Sequence, residues 1–121
     1  MTTPMRNPDF VYKIVSREAF DAARQAGEFP RMPIDLQDGY IHLSTATQLA
    51  ETLKLHFAGQ SDLTIFAVRC ADLGAGLRWE PSRGGVLFPH HYGDPGVSAI
   101  GQTASVSVSQ DGGVVLPDWV R

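Results

Sequence analysis

The chain has 121 residues, 43% of them apolar and 19% charged, with a formal net charge of −3. That length supports one hydrophobic core and excludes two ordinary domains, while scattered charges without a long run of one sign argue against a nucleic-acid binder and name no partner. The single cysteine, Cys70, has no partner for an internal disulfide and reads as a small buried hydrophobe in a reducing compartment.

Residues Met1 to Pro8 are polar, carry two prolines and lack an apolar signal region. We expect a frayed tail over 1–9, one domain over 10–121, no membrane span and a cytoplasmic location. Phe10 to Val15 is β-branched and aromatic, with Tyr12 and Ile14 on one face and Val11, Lys13 and Val15 on the other, which predicts a strand. Ser16 then caps a helix over Arg17 to Ala26 that Gly27 stops. Phe29 to Asp38 contains two prolines and no helical period, so it reads as an irregular connection. Asp38-Gly39 turns the chain into a short strand over Tyr40 to Leu43.

Thr45-Ala46-Thr47-Gln48 has the spacing of a capping box, and a second helix follows to Gly59, with Leu49, Ala50, Leu53 and Phe57 on its apolar side. Leu63 to Cys70 is almost continuously apolar, as expected of a central strand covered on both faces. A short turn over Ala71 to Gly76 leads to an extended Leu77 to Glu80, a break at Pro81 to Gly85, and a short strand over Val86 to Phe88. Pro89 to Gly96 reads as a loop. Ala104, Val106 and Val108 alternate with serines on a last long strand, and Asp111-Gly112-Gly113 predicts a hairpin to Val114-Val115-Leu116. Helices gathered in the first half with strands throughout make this an α+β fold.

Few side chains are available for chemistry. His42 and Ser44 share one face of their short strand with Tyr40; the alternative is that His42 satisfies a backbone carbonyl and Ser44 caps a helix. A second group runs from Trp79 and Glu80 through Arg83, Gly84 and Gly85 to His90, His91 and Tyr92. There Glu80 suits a base or a ribose partner, Arg83 an anion, and the two glycines a close backbone approach; the alternative is an exposed Glu80–Arg83 pair on an ordinary turn. His42, His90, His91 and Glu80 are metal-ligand types without diagnostic spacing, and adjacent histidines on an extended segment point apart, so we assign no metal. His56 reads as a last-turn helix residue outside the site. No nucleophile elbow, dinucleotide fingerprint or phosphate loop is present.

The ordered set Val11-Tyr12-Lys13-Ile14, Asp38-Gly39-Tyr40-Ile41-His42-Leu43-Ser44-Thr45 with Gln48, Arg78-Trp79-Glu80, Arg83-Gly84-Gly85, Phe88-Pro89-His90 and Tyr92-Gly93 resembles the bacterial family called domain of unknown function 952. The resemblance implies an ADP-ribosyl-transferase-like fold: two short, curved, mostly antiparallel sheets forming a cleft, with two main helices in the N-terminal half. A more distant resemblance is to tRNA 2′-phosphotransferase, with Tyr12, Gly27 and Ile41-His42-Leu43 matching its pattern, and Lys13 and Ile14 standing where it has histidine and glycine. Taking the residue reading and the resemblance together, Tyr12, Lys13, Ser44, Arg83, Gly84, Gly85 and Tyr92 would bind ligand, and His42, Glu80 and His90 would carry any chemistry. Glu80 would steady a developing positive charge and His90 would serve as acid or base. The ligand expected is NAD or an ADP-ribosyl or phosphorylated small molecule; the alternatives are a non-catalytic module for a nucleotide or anionic metabolite, and a metal-assisted hydrolase on His42, His90 and Glu80.

Overall fold

The computed structural model describes residues 9–120, except for the side chain of Arg83. The expected tail therefore falls almost wholly outside the described residues. Strand β1 (Phe10–Ser16) leads into helix α1 (Arg17–Ala26), whose first turn is capped by the Ser16 hydroxyl accepting from the Ala19 N–H at 3.1 Å. Gly27, at φ 71°, adopts the left-handed conformation that ends the helix with two carbonyls satisfied.

Helix α2 (Pro33–Asp38) corrects the expectation of an irregular connection. Its six residues are too few to show an apolar period, but Pro33 sits in the first turn, where its missing N–H costs nothing. The Asp35 carboxylate replaces a conventional cap by accepting from the Met32 N–H at 2.7 Å. The predicted strand at Tyr40 shrinks to β2 (Ile41–His42), followed by α3 (Ala46–Phe57). The capping box at α3 forms as read, with Thr45 and Gln48 bonding reciprocally at 3.2 and 3.0 Å. The Gln48 amide also donates to the Leu87 carbonyl at 2.8 Å. Leu49 and Leu53 are fully buried, whereas Ala50, placed on the apolar side by spacing, is exposed.

Strand β3 (Leu63–Arg69) is central, between β1 and β6 (Ile100–Val106), and antiparallel to both. Its position explains its apolar run, buried from Leu63 to Val68. Cys70 opens the single turn α4 (Cys70–Leu73) and is half-buried, not fully enclosed. The second sheet has the order β2, β5 (Leu87–His91), β4 (Leu77–Pro81). Here the structure overturns the expected loop at Pro89: β5 runs through both histidines. Proline normally argues against a central strand because it lacks a donor; at this register only the Pro89 acceptor is used, taking the Leu43 N–H at 3.1 Å. The predicted C-terminal hairpin also changes. Gly112 and Gly113 form the tight turn against Ser109, but Val114 and Leu116 return as irregular chain against the core.

The first sheet has an apolar cluster on each face. Tyr12, Ile14, Ile65 and Val106 meet Leu49 and Leu53 of α3; Val11, Val15, Phe66 and Val68 meet Phe20, Phe29 and the inner side of the second sheet through Ile41 and Leu43. Each large side chain so enclosed contributes about 1.5–3 kcal/mol of transfer free energy. The sheets touch through one antiparallel bridge, Tyr12 N–H to Ser44 O at 2.8 Å and Ser44 N–H to Tyr12 O at 2.9 Å. The architecture of the described residues is thus α+β with two small antiparallel sheets and four α-helices. Among the described residues no helix is long and apolar enough to cross a membrane.

Candidate functional site

A cavity of about 360 Å3 opens where the two sheets part. β1 supplies Tyr12, Lys13 and Ile14, and the β2 segment supplies His42, Leu43 and Ser44. Met32, just before α2, and Ile34 within it close one side, Thr52, His56 and Phe57 of α3 another, and Ser82, Phe88 and His90 the third. Of the residues predicted from sequence, Tyr12, Lys13, His42, Ser44 and His90 line it; His42 and Ser44 share a face by two-residue alternation, whereas Tyr12 and Lys13, adjacent on β1, do not.

Beneath the cavity lies a buried polar chain that the sequence reading missed. Lys13 Nζ is 2.7 Å from Asp35 Oδ2 and donates to the His42 carbonyl at 3.1 Å. Asp35 Oδ1 accepts from the His42 backbone N–H at 2.9 Å and from His42 Nδ1 at 2.8 Å. Lys13 and Asp35 are only 2% and 3% exposed, so neither charge is stabilised by water. Burial works against the charged carboxyl, yet the bonds from His42 and Lys13 prevail and hold Asp35 well below the usual carboxylate range. Burial pulls the Lys13 ammonium down from its ordinary value, against the opposing attraction of Asp35. An ionised Asp35 only accepts, which fixes the proton of His42 on Nδ1. His42 Nε2 faces Asp38 Oδ2 at 3.0 Å. Lys13 is therefore the counter-ion of Asp35 as well as part of the wall.

The second half of the site is built on β4 and β5. Glu80 and His90 lie near one another across the strand pair, and Glu80 Oε1 accepts from His90 Nδ1 at 2.8 Å and from the Tyr92 hydroxyl at 2.8 Å. These bonds lower the Glu80 carboxyl and raise the Tyr92 phenol from their ordinary values. With Nδ1 so held, Nε2 is the nitrogen through which His90 can meet a ligand. The ring centroids of His42 and His90 are 5.5 Å apart, and Tyr40 stacks at 4.6 Å from His42, 4.3 Å from His90 and 5.3 Å from Tyr92. Burial raises the Tyr40 phenol, with the Asp38 and Glu80 carboxylates adding to it.

Several expectations change. Glu80 and Tyr92 do not line the cavity and reach it only through His90. Gly84 and Gly85 lie outside it too, and the Gly85 N–H is already taken by the Ser82 carbonyl at 2.8 Å, so it cannot cradle an anion. The Arg83 side chain, assigned to an anionic group, lies outside the described residues. His56, set aside as a helix-surface residue, joins the wall. His91 points away from His90, as adjacent strand residues must; it is 5% exposed, with Nδ1 buried and unpartnered. Among the described residues no group of three or more His, Cys, Asp or Glu side chains could hold a metal ion.

Comparison with known proteins follows the same lines. A family model described as a protein of unknown function (DUF952) matches residues 14–103. The crystal structure of protein CC0527 from Caulobacter crescentus is 42% identical, with 88% of this chain and 93% of that one covered and a TM-score of 0.81. The solution NMR structure of CC0527 is 43% identical over 87% of this chain and 90% of that one, with a TM-score of 0.75. None of the curated proteins matches the chain.

Proposed function

We propose, for a chain that belongs to the DUF952 family, that the cavity between its two sheets binds a nucleotide-type small molecule in the manner of an ADP-ribosyl transferase. The observation that carries this reading is the His90–Glu80 pair, bonded at 2.8 Å, beside a mostly apolar cavity in which His42 stands 5.5 Å from His90. At about 360 Å3 the cavity lies near the lower end of small-molecule sites. It suits one ring and its sugar, such as the nicotinamide-ribose half of NAD.

Glu80 acts as the positioning carboxylate in this reading, not as a direct ribose contact. It orients His90 and makes Nε2 the better base, so an acceptor hydroxyl can pass its proton there as its oxygen bonds to the ribose carbon and the ring nitrogen departs with the bonding electrons. The apolar walls of Tyr12, Leu43 and Phe88 would exclude water from that carbon. A second reading, a binding module without turnover, draws on a different observation. Lys13 is engaged by Asp35, and both ring nitrogens of His42 face carboxylates.

Thermal-shift titrations with NAD, ADP-ribose and nicotinamide test the cleft, because a ligand at 100 times its dissociation constant stabilises by about 2.7 kcal/mol. Stabilisation that is lost in His42→Ala supports nucleotide binding. Nicotinamide release from NAD, abolished in His90→Ala, separates transfer from binding alone, and no stabilisation by any of the three rejects the nucleotide reading.

A further inference from the structure

The polar side chains around the cavity are mostly engaged with the protein itself. Lys13 Nζ bonds Asp35 at 2.7 Å and the His42 carbonyl at 3.1 Å, and both ring nitrogens of His42 face carboxylates, Asp35 at 2.8 Å and Asp38 at 3.0 Å. The Ser44 hydroxyl is bonded to that of Thr52 at 3.4 Å, and Tyr12 and His56 have partners of their own. His90 differs. It lines the cavity, is 5% exposed and uses Nδ1 on Glu80 at 2.8 Å, while among the described residues nothing bonds its Nε2. In a neutral imidazole one nitrogen donates and the other accepts. The Glu80 carboxylate only accepts, so it holds the proton on Nδ1 and leaves a lone pair on Nε2. The rest of the wall is largely apolar, through Ile14, Leu43, Phe57 and Phe88, and no carboxylate lines it.

We infer that the molecule this cavity takes is uncharged: a ring that fills the apolar walls and carries an O–H or N–H group donating to His90 Nε2. The inference rests on the reading of this cavity as the ligand site, and adds to it the charge and the hydrogen-bonding sense of the ligand. An anion would meet a lone pair at His90 with the Glu80 carboxylate behind it, and would find the Lys13 ammonium already neutralised by Asp35. A cation would give up its water among apolar walls with no carboxylate to replace it. A ring without a donor would leave the buried Nε2 unpaired. Of a nucleotide, the ring and the sugar hydroxyls fit this description, and the phosphates would stay outside.

The test uses four probes of similar shape, benzyl alcohol, ethylbenzene, benzylammonium and benzoate, at about pH 8, where an ordinary imidazole is neutral. Binding to the full chain is followed by NMR titration of the histidine ring nitrogens. Benzyl alcohol should bind roughly tenfold or more tightly than either charged probe. Its affinity relative to ethylbenzene should fall roughly tenfold in His90→Phe, a ring-for-ring replacement that leaves Tyr92 its bond to Glu80. The wild-type chain gives a readout that needs no variant: benzyl alcohol should move the His90 Nε2 signal well beyond the effect of ethylbenzene, and leave those of His91 in place. A charged probe bound as tightly as the alcohol, an Nε2 signal unmoved by it, or no binding of the alcohol overturns the inference. The two readings fail separately. The alcohol preferred, with no binding of NAD or ADP-ribose, upholds the uncharged ligand and removes the nucleotide-transfer reading; NAD turned over while benzoate or benzylammonium matches the alcohol does the reverse.

Discussion

Removing the charge of Asp35 is the sharpest perturbation the structure offers. In Asp35→Asn the Lys13 ammonium, 2% exposed, keeps its bond to the His42 carbonyl and loses the carboxylate that neutralises it. Leaving one partner of a buried pair uncompensated costs about 3–5 kcal/mol. At roughly 4 °C per kcal/mol for a domain of this size, the melting temperature should fall by about 12–20 °C. Lys13→Met should be destabilising for the complementary reason, and the double variant should be more stable than the sum of the two losses by about 0.5–3 kcal/mol. The pH dependence follows from the depressed Asp35 carboxyl. A folded-state value below the unfolded one stabilises above the unfolded value of about 3.9 and is lost as pH falls through the folded one, so the gap between wild type and Asp35→Asn should be widest near neutrality and narrow in acid. Urea denaturation at several pH values, followed by circular dichroism, measures all of this. A loss below about 1 kcal/mol for Asp35→Asn, or strict additivity of the two substitutions, would refute the buried-pair account.

Three further outcomes are expected. Gly76→Ala would bring its new methyl carbon against the Tyr92 carbonyl and within 2.6 Å of His91 Cε1, so thermal denaturation should show a loss of about 1–3 kcal/mol. His91→Leu removes a buried unpartnered nitrogen; because burial, aided by Arg31, lowers the His91 value, wild type loses stability as pH falls below the ordinary histidine range, and the variant should show a flatter acid limb in urea titrations. Thr45→Ala deletes the α3 cap acceptor and should cost about 1 kcal/mol in the same assay, with no change in the signals of His42 and His90.

Much of the fold was legible because its signals are local. Ser16 and Gly27 bracket α1 by cap chemistry that needs no tertiary information, and the apolar run at Leu63 to Val68 states its own centrality. α2 was not legible, since a six-residue helix held by one buried carboxylate shows no period. β5 was misread because a proline is compatible with a central strand only at a register that sequence does not disclose. The same division holds at the site. Tyr12, Lys13, His42, Ser44 and His90 line the cavity, and alternation disclosed in advance only that His42 and Ser44 share a face. Asp35 was missed: an aspartate between a proline and a turn looks solvated until Lys13 is seen opposite it. A lysine in the middle of an apolar strand was the one available signal, because such a residue must find a buried anion. His56 was set aside because helical spacing alone does not say that the last turn of α3 overhangs the gap between sheets.

The Gln48 amide gives a reason for one choice of residue that helix-capping rules leave open. Glutamate and glutamine serve equally in a capping box, since each offers an oxygen to the cap's backbone N–H. At this position the nitrogen of the same amide is spoken for as well, donating to Leu87 on a strand 39 residues away. A carboxylate would keep the local half of that arrangement and turn the distant half into two acceptors facing each other. One side chain thus obeys two grammars at once, that of a helix beginning and that of a strand beside it, and only the amide can be read in both.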